Sequence, residues 1–173
     1  MENKNWWEAT VSRDVMQEDG TNKVLSEQYL VLSPSCTDAE KRIIDELAPS
    51  CTGSMKVTDI KTRKFREVLS SEDDSDEKWY TVKAYIITLN EKTGEEKKTA
   101  VLYLVQACNL KKAISNFEKS MVDSVTDFEL DDVKSSPILD VFSSCAEELE
   151  LGMGNYEGSE NTPMKSHTWL RKS

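Results

Sequence analysis

The sequence is short of the residues from which most catalytic sites are built. A single histidine, His167, occurs in 173 residues, within a polar C-terminal stretch. Cys36, Cys51, Cys108 and Cys145 are scattered, with no Cys-x-x-Cys pair. Clustered soft ligands for zinc are therefore missing, and the expectation is reduced thiols packed as small apolar groups. No Gly-rich phosphate loop, Gly-x-Ser-x-Gly elbow or His-Glu-x-x-His pair occurs. Carboxylates are plentiful, but they concentrate in "SSEDDSDE" (Ser70 to Glu77), in "DFELDD" (Asp127 to Asp132) and after Cys145. There they read as solvated charges, not as a desolvated acid/base pair. "DFELDD" also lacks the glycine and ligand pattern of a calcium loop. The expectation is a protein that binds without catalysing, with no cofactor and no metal. No apolar run approaches the roughly 20 residues of a membrane span, and "MENKN" lacks the layout of a signal peptide. A cytoplasmic location with no membrane contact is expected.

What is present is a repeated order of elements. "WWEATVSRDVM" (Trp6 to Met16) alternates as a strand, "QEDGTN" turns the chain at Gly20, and "KVLSEQYLVLS" (Lys23 to Ser33) returns. Thr37 and Glu40 match a capping box for a helix that buries Ala39, Ile43, Ile44 and Leu47 and ends near Pro49. "SMKVTDIKTRKFREVL" (Ser54 to Leu69) follows as one long strand or two broken ones. The second half runs likewise: "WYTVKAYIITLNE" (Trp79 to Glu91), a turn at Gly94, "KKTAVLYLVQA" (Lys97 to Ala107), then a helix capped by Asn109 with Ala113, Phe117 and Met121 on its stripe.

Tyr29-Leu30-Val31 recurs as Tyr103-Leu104-Val105, and Gly20 with Gly94 and the three stripe positions keep the same 74-residue offset. Val11 answers Val82, Thr58 to Ile60 answers Asp131 to Val133, and Arg66 to Leu69 answers Leu139 to Phe142. This spacing predicts an internal duplication. The fold class is α+β: two β-β-α-β units forming a pseudo-twofold domain, with helices packed on antiparallel sheet. The first unit is 6–69 and the second 79–142. An exposed acidic linker, 70–78, lies between them, and 143–173 is a largely disordered tail.

Against a net charge of −10 and a pI of about 4.7, one segment stands out as basic. "KVTDIKTRKFR" carries Lys56, Lys61, Arg63, Lys64 and Arg66 against the single acid Asp59. Alternation places Lys61, Arg63 and Phe65 on one face and Ile60, Thr62, Lys64 and Arg66 on the other. A basic face carrying an aromatic suits single-stranded nucleic acid, because cations follow phosphates while a ring stacks on any base. Edge strands also carry Lys simply to discourage pairing. Trp6-Trp7 and Trp79-Tyr80 open the two units. One ring of each pair should enter the core, and the other could offer a stacking platform.

"MKVTDIKTRKFREV", "WYTVKAYIITLNEKTGEEKKTAVLYLVQA" and "SPILDVF" resemble a family of unknown function found in Bacteroidales bacteria and their phages, including crAss-like phages. The resemblance implies no active site. It does imply a phage or mobile-element setting, hence DNA metabolism or interference with host proteins. The leading expectation is a non-catalytic protein binding single-stranded nucleic acid through Lys61, Arg63, Lys64, Phe65 and Arg66, with stacking from Trp7 and Trp79. The rival is an acidic interaction or inhibitor protein that docks on a basic host protein. Open edge strands would favour a homodimer, although internal duplication supplies the same symmetry.

Overall fold

The computed structural model describes residues 3–143. In chain order the strands and α-helices are β1 (Asn5–Met16), β2 (Asn22–Ser33), α1 (Cys36–Leu47), β3 (Met55–Arg63), β4 (Phe65–Leu69), β5 (Lys78–Leu89), β6 (Glu96–Ala107), α2 (Leu110–Met121), β7 (Asp127–Ser135) and β8 (Ile138–Phe142), with a 3-10 turn (Ala48–Ser50) after α1. The protein is α+β, and the order β-β-α-β-β runs twice. The expected 143–173 tail lies, from 144 onward, outside the described residues.

Local chemistry accounts for the elements. Each hairpin turns through a glycine with positive φ, 81° at Gly20 and 71° at Gly94, where a side chain would be strained. Asn109 caps α2 by accepting from the Lys112 N–H at 2.9 Å. The α1 cap is Ser35, not Thr37: its hydroxyl accepts from the Asp38 N–H at 3.1 Å and donates to the Asp38 carboxylate at 2.6 Å. The cap is thus two residues upstream of the expected one, because only Pro34 separates the last residue of β2 from it. Ala39, Ile43 and Leu47 are buried in line, as are Ala113, Phe117 and Met121. Ile44 stays 41% exposed, since a helix lying on a sheet buries a stripe narrower than its apolar set.

Two four-stranded sheets form, in the orders β3-β1-β2-β8 and β4-β6-β5-β7. The expected closing strand of each half is therefore two strands lying in different sheets. β3 pairs antiparallel with β1, and after Lys64 alone the chain continues as β4, parallel to β6 in the other sheet. β7 pairs antiparallel with β5, and after Ser136 and Pro137 it continues as β8, parallel to β2. Each half thus lends its last strand to the other half's sheet, and the sheets are mixed instead of wholly antiparallel. The registers agree in detail. Leu30 lies opposite Val141 as Leu104 lies opposite Val68, and a bulge falls between Thr10 and Val11 as between Lys83 and Ala84. Ala9 lies opposite Tyr29 as Val82 lies opposite Tyr103, so Val82 answers Ala9 and not Val11.

The central part of each sheet is covered on both faces, while the hairpin ends and edge strands keep exposed positions. Ala9, Val11, Tyr29 and Val31 meet the stripe of α1. Val82, Ala84, Ile86, Tyr103 and Val105 meet Phe117 and Met121 of α2. Tyr29 stacks on Phe142, while Tyr103 and Phe128 each meet Phe117 edge to face. The opposite sheet faces meet each other through Leu30, Phe65, Trp79, Leu104 and Ile138, with Trp6, Val68, Leu102 and Val141 around them. Because this shared layer draws on both sheets and on both exchanged strands, it should melt as one unit. Trp79→Ala is expected to cost about 3–5 kcal/mol and to keep a single cooperative transition in denaturant. Two separable transitions, followed by fluorescence and circular dichroism, would contradict a shared core.

Candidate functional site

The basic segment occupies the corner at which the chain leaves one sheet for the other. β3 faces α1 with Met55, Val57 and Ile60, so alternation turns Lys61 and Arg63 the other way. Register places Lys61 directly across from Glu8 of β1. Glu8 is buried, and its carboxylate holds Lys61 Nζ at 3.2 Å and Arg63 Nε at 3.4 Å. One carboxylate serves two cations, which leaves a net positive charge at the corner. Their side chains retain 55% and 34% of their exposure, so both still reach solvent. Lys64, at the break, and Arg66, on β4, are exposed.

The rings are placed differently from expectation. Phe65 is 7% exposed, packs in the inter-sheet layer and lies 5.2 Å beneath the Arg63 guanidinium, a cation–π contact covering its remaining face. Trp79 is 5% exposed in the same layer. Trp7 is half-buried against the α1 core, and its indole N–H donates to the Ser33 carbonyl at 3.0 Å. The physical reason is that both faces of these strands are covered, so neighbouring rings of opposite orientation enter two different cores: Trp6 and Trp79 go between the sheets, Trp7 and Tyr80 under the helices. The fold brings Lys61, Arg63 and Phe65 together and leaves Lys64 and Arg66 beside them, but places Trp7 and Trp79 away in packing.

Two acids that matter carry no distinguishing signal in the sequence. Glu8 is hidden there because only the register of β1 on β3 sets it opposite Lys61. Asp76 belongs to the stretch expected to be an exposed linker, yet it is 2% exposed. It accepts from the Cys108 N–H at 2.8 Å and from the Ser71 hydroxyl, with Lys112 Nζ at 3.4 Å. Asp73 binds the same lysine at 2.6 Å. Burial pushes the Asp76 carboxyl upward in pKa. The Ser71 hydroxyl, the Lys112 charge and the Cys108 N–H outweigh burial and hold it below the ordinary carboxylate value. Asp73 is held well below that value by its bond to Lys112, aided by the Ser75 hydroxyl and N–H. The linker is thereby clasped to the start of α2.

Surface concavities lie at the two hairpin tips, lined by Val15 to Asp19 and by Thr88 to Asn90 with Glu95 to Lys98, away from the basic corner. Among the described residues no group of three His, Cys, Asp or Glu side chains is placed to hold a metal ion. Likewise, no helix among them is long and apolar enough to cross a membrane.

Residues 5–144 match the model of a family described as a domain of unknown function (DUF4494). The chain belongs to this family. Its match covers every described strand and helix, and with them the whole basic corner. No curated protein matches the chain.

Because Asp73 and Asp76 have lowered folded-state pKa values, their contribution to stability is present above the unfolded carboxylate value of about 3.9 and is lost as pH falls through the folded values. Thermal melts should show stability falling as acid is added below about pH 4. Asp76→Asn should cost roughly 1–3 kcal/mol near neutrality and flatten part of that acid limb. An unchanged melting temperature would remove the clasp.

Proposed function

We propose that this protein is a non-catalytic binding protein whose ligand is single-stranded nucleic acid, held by its phosphates at the corner formed by Lys61, Arg63, Lys64 and Arg66. The observation that carries the reading is a difference between two corners of the same kind. Where the first corner reads Lys61-Thr62-Arg63-Lys64-Phe65-Arg66, the second, between β7 and β8, reads Lys134-Ser135-Ser136-Pro137-Ile138-Leu139. The second corner makes the same change of sheet with serine, proline and leucine in place of three cations. The change of sheet therefore does not demand Lys64 and Arg66, whereas Arg63 also answers the buried Glu8 and covers Phe65. Cations that folding does not need, clustered on a chain of net charge −10, are best explained by an anionic ligand.

The comparison rests on a further part of the proposal, that the two halves arose by duplication and form a pseudo-twofold domain. Coincident registers, matched bulges and matched turn glycines support it. The packing of Phe65, Trp7 and Trp79 changes the mode of binding: contact runs through phosphates, without stacking on these rings, and discrimination between bases is weak. A phage or mobile-element role in DNA metabolism, within the cytoplasm of a Bacteroidales host, belongs to the same proposal. A second reading, an acidic interaction protein docking on a basic host protein, is favoured by the exposed Asp127, Glu129, Asp131 and Asp132 of β7. A stoichiometric protein partner that survives nuclease treatment in a host-lysate pull-down would favour it instead.

Binding of a labelled single-stranded oligonucleotide tests the leading reading. With about four phosphate contacts, log affinity should fall with log salt at a slope of roughly −2 to −3. Lys64→Glu with Arg66→Glu should weaken binding at least about tenfold. Glu8→Gln, which frees Lys61 and Arg63 from their shared carboxylate, should strengthen it by roughly two- to fivefold. Absent or salt-insensitive binding would overturn the proposal.

A further inference from the structure

The hairpin of β1 and β2 carries a sheet edge that the fold leaves open, and the geometry points to a second copy of this chain as its occupant. β8 lies beside β2 only from Gln28 to Val31. From Asn22 to Glu27 no strand among the described residues covers the outer side of β2. Unpaired edges invite pairing, and proteins usually block them with charge, bulges or shortness. The other edges of this fold are blocked in those ways. β3 and β7 are bulged and carry Lys56, Lys61 and Arg63, or Asp127, Glu129, Asp131 and Asp132. β4 and β8 are five residues long. The matching open run of β6 begins Glu96-Lys97-Lys98, with Lys98 bound to Glu129. At the place of Lys98, 74 residues earlier, stands Val24.

Val24 is 63% exposed and Met16 is 72% exposed. Register sets Val24 opposite Asp14, so Met16, two residues on, shares its face and is its diagonal neighbour. The hairpin thus shows an apolar pair on one face, beside a backbone edge whose only cation, Lys23, lies on the other face. Antiparallel pairing of Asn22 to Ser26 with the same run of a second copy places Val24 on the twofold axis against its own counterpart. Met16, Val24 and their two counterparts then form one apolar stripe across the joined sheets. On the opposite face Lys23 lies across from Leu25 of the other copy and has two diagonal neighbours there, Glu27 on one side and Lys23 on the other. The Glu27 carboxylate is already held in place by Arg13 at 2.8 Å and by the Tyr29 hydroxyl at 2.7 Å. The run is therefore self-complementary in apolar surface, and each Lys23 has a carboxylate of the other copy within diagonal reach to offset its own counterpart. Stopping the ladder at Ser26 leaves room for β8, which begins its pairing at Gln28.

A ladder of this length buries little area, so the dimer forms and dissociates with concentration. Sedimentation velocity of the full chain over a dilution series tests it. The expected result is a shift from one chain to two with rising concentration, abolished by Val24→Lys, which sets two ammonium groups against each other on the axis. Since Val24 is exposed, the variant should melt like the parent. Val24→Cys should cross-link to its own copy under mild oxidation far faster than the parent protein does. A single-chain mass up to about 1 mM would overturn the inference. So would a dimer that persists in Val24→Lys, or association with only a different protein through this edge. Oligonucleotide binding plays no part in these readouts, so they stand apart from the nucleic-acid reading.

Discussion

The structure depends on the layer between its two sheets. Leu30 and Leu104, Trp6 and Trp79, Phe65 and Ile138, Val68 and Val141 come in pairs, one from each half, and fill the layer together. Neither sheet can bury that face alone. The exchange of β4 and β8 enforces the arrangement, since each edge strand is covalently part of one half and hydrogen-bonded into the other. Burial of these side chains, each worth about 1.5–3 kcal/mol, thus depends on contributions from both ends of the described chain. Loop-closure entropy grows only slowly with loop length, so distant partners cost little more than near ones.

That constraint also shapes the surface. Strands covered on both faces have no wet side on which to display an aromatic ring, which is why Trp7, Trp79 and Phe65 are all engaged in packing. What remains for a ligand is where the covering ends: the corners where a chain changes sheet, the hairpin tips and the strand edges. The basic corner is of this kind. Lys61 and Arg63 are anchored there from behind by Glu8, which fixes their direction and lowers their net charge at once. The acidic clasp formed by Asp73, Asp76 and Lys112 uses charge for the opposite end, tying a connection down.

Much of the fold is legible in the sequence, because it is written in local periods. Strand alternation, the turn glycines, the α2 cap and the stripes of both helices follow from spacing alone, and the 74-residue offset of Tyr29-Leu30-Val31 marks equivalent places without any knowledge of pairing. What cannot be read is the choice of partner. Nothing in "FREVL" distinguishes a strand that closes its own sheet from one that crosses to the other, because parallel edge pairing leaves no periodic trace. The site follows the same rule. Alternation correctly joins Lys61 with Arg63, but the assumption of one solvent face misplaces the rings. Glu8 and Asp76 become visible only through register and burial.

The exchange of strands is the claim on which the rest stands, and amide contacts across it test it most directly. Nuclear Overhauser effects in an isotope-labelled sample should connect β8 with β2, around Leu30 and Val141, and β4 with β6, around Leu104 and Val68. If β4 instead shows its contacts to β2, and β8 to β6, each half closes on itself and the exchange is contradicted.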